Sequence, residues 1–453
     1  MLEITEDDEK RWLEAKTRVV LDDPELLRAI TEGGAFGGSY TPAIATNMFN
    51  AKSDRAIAEV RERVEVIEVG ERSWLIRLPL VNSAVFETDE GLVVVDTAMA
   101  PGGPALMDAI RSVSDQPIHT IVYTHAHVDH CMGTWAMLDD EPEIIAHVDA
   151  PARFDRYVRT RGKVSRYMSQ SITKFPEDED DWVPPTQTFS GTLTLTIGGE
   201  RFDLIHARSE TDDQLWVSVP GRKQIASADY YQGFLPNAGN GKRVQRYVEE
   251  WAGALRDMVA LEPQSLLPAH GEAIVDDPAR IAEELSVHAE ALEFIARHTI
   301  DGLNARRRQD EIPDDLELPA HLAEHRVLAE QYVSPADISR MIIKQYCGWW
   351  DDIPSHWSPH RFDEQSAMIA DLAGGRGALV DRARNIVEAQ PKMACHLVDW
   401  AWFGGEPDVA IGEAVLEIWS RRITLAQCNT QEALVYLDHL ADVRVAMDDL
   451  QRG

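Results

Sequence analysis

Cysteine is scarce in this chain. Four occur in 453 residues, Cys131, Cys347, Cys395 and Cys428, widely separated and with no C-x-x-C pair. That excludes a disulfide-stapled fold and a thiolate metal site. Long apolar runs are missing as well. No stretch approaches membrane-spanning length, and the acidic start from Met1 to Glu9 has none of the apolar core of a secretory signal, so the expectation is a cytoplasmic protein with no membrane partner. Positive charge is in short supply too, with 44 Lys and Arg against 77 Asp and Glu and a formal net charge of −33. Such a chain repels polyanions, which argues against nucleic acid despite the basic run Arg306-Arg307-Arg308. The remaining composition, 44% hydrophobic and 27% charged, is that of an ordinary globular protein, and the length predicts two domains.

What is present is concentrated between His119 and His130. The β-branched run Thr120-Ile121-Val122 ends in His125, His127, Asp129 and His130, four metal-competent side chains where a strand gives way to a loop. Imidazole suits zinc, iron and manganese, a carboxylate adds charge, and a strand end presents alternate residues on one side. His125 and His127 are expected to point at one ion, and Asp129 and His130 at a second beside it. An N-cap role for Asp129 is the plain alternative.

Along the chain, residues 1–60 read as a leader with a helix from Glu9 to Val20 and a Gly-rich break at Gly33–Gly38. From Val64 the period becomes two, predicting a meander of strands over 64–69, 74–78, 83–87 and 92–96. Asp96 ends the last of them and is placed to orient a metal-ligating histidine, or simply to end the strand. A helix after Pro104, a strand into the metal loop, a helix from Met132 and a strand over 143–146 indicate an α/β layered domain with its site at strand ends. Residues 151–185 have no convincing period. Their basic residues, among them Arg153 and Arg156, suit either a lid over an anionic substrate or a solvated helix with compensating charge. Further strands end at His206, Asp229 and His270, so apolar strands stop repeatedly at ligand-type residues. After Asp276 the pattern is helical to the end.

The H-x-H-x-D-H loop, Asp229 and Pro268-Ala269-His270-Gly271 resemble the metallo-β-lactamase superfamily over roughly residues 60–275. Where most of its hydrolases carry Gly-His-Thr, this chain reads Ser209-Glu210-Thr211, a departure shared with the alkylsulfatase branch. The segment Tyr346-Cys347-Gly348-Trp349-Trp350-Asp351-Asp352-Ile353-Pro354 is similar to the Gly-Trp-Tyr-Asp-Gly-x-Pro signature of the alkylsulfatase dimerisation domain, as are the paired helices around Gly404-Gly405-Glu406-Pro407. The resemblance implies an α/β (α+β) chain, an αββα sandwich over 61–275 followed by an all-α homodimerisation domain over 276–453. A third, sterol-carrier-like domain is not expected here, which weighs against long-chain detergents as substrates.

It also implies two divalent metal ions per chain, zinc first among candidates. His125, His127 and Glu210 would hold one, Asp129, His130 and His270 the other, with Asp229 bridging where the family usually has glutamate. Asp212 and Asp213 are fallback ligands, and Asn237, Lys242, Arg243 and Arg246 match the sulfate-holding positions. The expected function is a binuclear hydrolase of alkyl or aryl sulfate esters using a metal-bridging hydroxide oriented by Asp129. Hydrolysis of a carboxylic ester, lactone or amide is the alternative, and iron-dependent redox chemistry a more distant one. Cys131, beside His130, is expected to face away as a small packing residue, and buried faces around Trp349, Trp350 and Trp400 are expected in a dimer.

Overall fold

The computed structural model describes residues 5–31, 54–168, 172, 175–425 and 428–452. The Gly-rich break at 33–38 lies outside them. Seven strands form one sheet in chain order: β1 (Glu65–Gly70), β2 (Ser73–Arg77), β3 (Asn82–Thr88), β4 (Gly91–Val95), β5 (Ile118–Val122), β6 (Glu143–His147) and β7 (Gln187–Phe189). The first four are the antiparallel meander that their short turns dictate, and β4 to β7 run parallel. A second sheet has the order β12-β11-β10-β9-β8, built from β8 (Thr192–Ile197), β9 (Glu200–His206), β10 (Leu215–Val219), β11 (Gln224–Ala228) and β12 (Ser265–Pro268).

Side-chain alternation turns these sheets into layers. Along β10, Leu215, Val217 and Val219 enter a core shared with Phe86, Val93 and Val122 of the first sheet, while Trp216 points the other way. There Trp216, Ile225 and Leu266 pack against Trp251 and Leu255 of helix Val248–Ala260 and Leu285 and Leu292 of helix Pro278–Asn304. β4 is buried along its whole length, as a strand covered on both faces requires. The result is the mixed α/β sandwich expected, followed by helices. Among the described residues, no helix is long and apolar enough to cross a membrane.

Two local differences from expectation have physical causes. Residues 151–185 are largely helical at their start, with helices Ala150–Arg159 and Arg161–Tyr167. The buried stripe of the first is Ala150, Arg153, Phe154 and Tyr157, and an arginine inside the stripe hides its period. The helix expected from Met132 is split into Val128–Cys131 and a 3-10 segment Thr134–Asp140, with Gly133 between them. A Cβ at Gly133 would sit 1.9 Å from the Thr97 carbonyl oxygen, so the chain can fold back on itself only with glycine there.

The described chain forms two compact units. One takes residues from 46–165 and 172–349, including both sheets and helices Val248–Ala260, Pro278–Asn304 and Pro335–Cys347. The other, from 1–45, 166–171 and 350–453, is helical, and its core joins Val19, Leu26 and Ile30 to Val398, Val415, Ile418, Leu437 and Leu440. These units cut the chain elsewhere than at residues 60 and 275, because helix Pro278–Asn304 buries its apolar face with Trp251 and Leu255.

Candidate metal centre

Strand ends assemble the site. Asp96 follows β4, the His125–His130 loop follows β5, Asp229 follows β11 and His270 lies just beyond β12. The backbone is forced into the left-handed region at Asp96 (φ 62°), Ala98 (φ 66°) and Ala228 (φ 49°), none of them glycine. Strain of that kind collects where a fold fixes side chains for function.

Asp96 organises two of the histidines. Its Oδ2 accepts from His130 Nδ1 at 2.7 Å and from the Thr124 hydroxyl at 2.8 Å, and its Oδ1 accepts from the Thr124 amide. Because the Thr124 proton is committed to Asp96, its Oγ accepts from His125 Nδ1, 3.0 Å away. His270 Nδ1 donates to the Leu80 carbonyl at 2.6 Å. All three rings therefore present Nε2 inward, the tautomer control typical of histidines that bind metal.

The inward atoms converge. His130 Nε2 lies 3.5 Å from Asp229 Oδ1 and 3.7 Å from Asp129 Oδ2, and His270 Nε2 lies 3.4 Å from Asp229 Oδ2 and 3.6 Å from Asp129 Oδ2. His125 Nε2 is 3.9 Å from Asp229 Oδ2. These separations are long for hydrogen bonds. They match the roughly 3.4 Å edge of a tetrahedron whose centre is about 2.1 Å from each corner, as for zinc with nitrogen and oxygen ligands. Two donor groups result among the described residues, His125–His130–Asp229 and Asp129–His130–His270. His127 stands beside them, its Nδ1 2.9 Å from His125 Nε2 and 3.8 Å from Glu210 Oε1.

Three buried atoms of this cluster, His130 Nε2, Glu210 Oε2 and Asp229 Oδ1, have no hydrogen-bond partner. Burial pushes His125 and His127 well below the ordinary histidine range, leaving lone pairs to offer. Burial pulls His130 down as well, but Asp229, Asp129 and Asp96 hold it up at about 10, and Asp229 with Asp129 holds His270 up at about 9. A pocket that draws positive charge to those nitrogens suits a cation in place of the protons. Donor types, spacing and orphaned atoms all fit a metal.

Glu210 lies outside both donor groups, and its Oε1 pairs with Arg246 Nη2 at 2.5 Å. Burial raises Glu210 to about 7 against the pull of Arg246. Arg246 is 2% exposed and its Nη1 donates to the Asn237 carbonyl, so its guanidinium is turned onto Glu210. Asn237 is buried with Nδ2 3.5 Å from Glu210 Oε1, and Arg243 is buried nearby in chain, while Lys242 is partly exposed. Asp212 and Asp213 are turned to Arg153 instead of to the histidines. Cys131 is buried and its Sγ donates to the His125 carbonyl at 3.1 Å, away from the donor atoms. Sequence reasoning missed the Leu80 carbonyl and the Arg246–Glu210 pair, since neither a backbone acceptor nor a partner fixed by the tertiary fold leaves a signal in spacing.

Residues 76–270 match the metallo-beta-lactamase superfamily, and residues 308–444 match the alkyl sulfatase dimerisation family. The chain joins a metallo-beta-lactamase domain to an alkyl sulfatase dimerisation domain. Its alkylsulfatase relationship extends to individual proteins. It is 26% identical over 346 residues to a linear primary-alkylsulfatase of Pseudomonas sp. (strain ATCC 19151), covering 70% of this chain and 64% of that one. Over 138 residues it is 30% identical to the 2,4-dinitroanisole O-demethylase subunit alpha of Nocardioides sp. (strain JS1661), covering 30% and 36% of the two chains. The chain thus spans about two thirds and one third of the lengths of these relatives. Its fold matches that of a stereoselective inverting sec-alkylsulfatase from Pseudomonas sp. with a TM-score of 0.74 at 16% identity, over 96% of this chain and 77% of that one.

Proposed function

We propose that this metallo-beta-lactamase-type alkylsulfatase homologue is a binuclear metal-dependent hydrolase of small alkyl or aryl sulfate esters. The observation that carries the reading is the set of 3.4–3.9 Å separations among inward nitrogen and carboxylate atoms at three strand ends. His125, His127 and Glu210 would hold one ion, Asp129, His130 and His270 the other, and Asp229 would bridge them. Zinc best suits this nitrogen and carboxylate set. Bound there, two such ions supply an activated water at neutral pH and stabilise charge on the ester oxygens.

The remaining roles belong to the chain. Asp129, the most exposed of the donors at 26%, orients the attacking water from the open side. Asn237, Lys242 and Arg243 bind the sulfate, and Arg246 holds Glu210 in place while adding positive charge behind it. The alkyl sulfatase dimerisation match supports a homodimer through the helical region. Four free cysteines are compatible with a reducing, cytoplasmic setting.

Sulfate release from short alkyl and aryl sulfates, measured beside acid release from lactones and carboxylic esters, tests the substrate class. The reading predicts sulfate release that disappears in Asp129→Ala. Acid release alone would move the enzyme to the carboxylic ester reading. The identity with the demethylase subunit favours a further arm, an aryl methyl ether such as 2,4-dinitroanisole, whose cleavage in preference to sulfates would overturn the sulfatase assignment.

A further inference from the structure

Two loops, one from each sheet, are stitched together beside the metal centre. After β5, the Thr124 carbonyl accepts from the Leu215 amide at 2.8 Å, and the Ala126 amide donates to Asp213 Oδ2 at 2.8 Å. Ala126 lies between His125 and His127, so its peptide sets the separation and aim of both rings. Asp96 grips the preceding residue from the other side, through the Thr124 amide and hydroxyl. The loop is thus held between two buried carboxylates, of which Asp96 also orients His130 and Asp213 has no histidine partner.

Asp213 is 1% exposed, and an isolated carboxylate at that depth is costly. Arg153 answers it. This arginine stands in the buried stripe of helix Ala150–Arg159, is 6% exposed, and lies with its Nε 3.4 Å from Asp213 Oδ1 while its Nη1 pairs with Asp212. The His206 ring adds a further tie, its Nε2 2.8 Å from the Asp212 carbonyl.

We infer that Asp213, neutralised by Arg153, is a positioning residue that fixes the His125-Ala126-His127 peptide for metal binding. This rests on the metal-centre reading. The helix carrying Arg153 is therefore a brace for the metal loop from the start of the 151–185 insert. Asp213 acts through the Ala126 amide and is not itself a ligand.

Asp213→Ala, Asp213→Asn and Arg153→Met/Asp213→Asn separate the possibilities, with metal affinity by chelator competition, metal stoichiometry at saturation, and amide exchange of the segment holding Ala126. Asp213→Ala is expected to lower metal affinity about 10- to 100-fold with unchanged stoichiometry, and to speed exchange of that segment tenfold or more whether metal is added or not. Asp213→Asn keeps an acceptor for the amide and should recover most of the affinity. The double variant, which leaves no buried charge unpaired, secures a folded protein if Asp213→Ala does not fold, and should keep the slow exchange. Loss of one full metal equivalent in Asp213→Ala would make Asp213 a ligand, and unchanged exchange would remove the clamp; either overturns the inference. Wild-type protein that takes up no metal would overturn the metal reading alone, with amide exchange still deciding the clamp.

Discussion

Arg246 and Glu210 show how much of this site is decided by single side chains. Both are buried, and removing the arginine leaves a carboxylate in a poorly solvated pocket. Arg246→Met should cost about 3–5 kcal/mol of stability, read from the denaturant midpoint, with Glu210→Gln in the same background restoring part of it. A second residue-scale expectation concerns His288, fully buried with Nε2 2.9 Å from the Phe234 carbonyl. Burial pushes it down to about 4 against that carbonyl. The unfolded chain, with an ordinary histidine near 6.5, binds the extra proton between those values. Its contribution is therefore complete above about pH 6.5 and lost as pH falls toward 4, on the order of 3 kcal/mol over the window. His288→Gln should flatten the pH dependence of the urea midpoint there; an unchanged slope would assign it to other groups. At this scale the sequence was most readable where ligand-type residues crowd together, at His125, His127, Asp129 and His130. The clamp on Ala126 was not readable, because Asp213 looked like a fallback ligand and Arg153 like part of a basic lid or a solvated helix.

At the scale of elements, the repeated pattern of an apolar strand ending in histidine or aspartate gave away both the sheets and the edge where the site lies. Parallel pairing of β4 with β5 and of β11 with β12 brings those ends to one side, a consequence of topology that periodicity implies without naming the partners. The helix at Ala150–Arg159 stayed hidden because tertiary ion pairing lets an arginine occupy its buried stripe. Gly133 carries the sharpest element-scale prediction. Gly133→Ala places a Cβ against the carbonyl of Thr97, a residue that also holds the His130 end of the metal loop by donating its N–H and hydroxyl to the His130 carbonyl. The variant should lose several degrees of melting temperature and most bound metal, whereas Gly199→Ala, with open space around its Cβ but a positive φ, should lose only stability.

At the scale of the whole molecule, composition argued against nucleic acid as a partner, and two sets of motifs in order suggested the domain plan. The grouping of the N-terminal helix Glu6–Leu21 with the C-terminal helices was beyond reach, since it depends on contacts such as Lys16 with Asp438 at 2.9 Å between distant parts of the chain. Within that helical unit, Trp357, Phe362, Met368, Leu372 and Phe403 are exposed by 41–80%. The proposed homodimer predicts that Leu372→Asp with Met368→Asp shifts the sedimentation of the protein from dimer toward monomer; a wild-type monomer would remove the dimer from the account. The most direct measurement of the central claim is elemental analysis of protein purified without chelator, paired with sulfate release from a short alkyl sulfate. About two zinc ions per chain with release of sulfate is the predicted result. Protein that carries iron, or that binds no metal when metal is supplied and still releases sulfate, would contradict it.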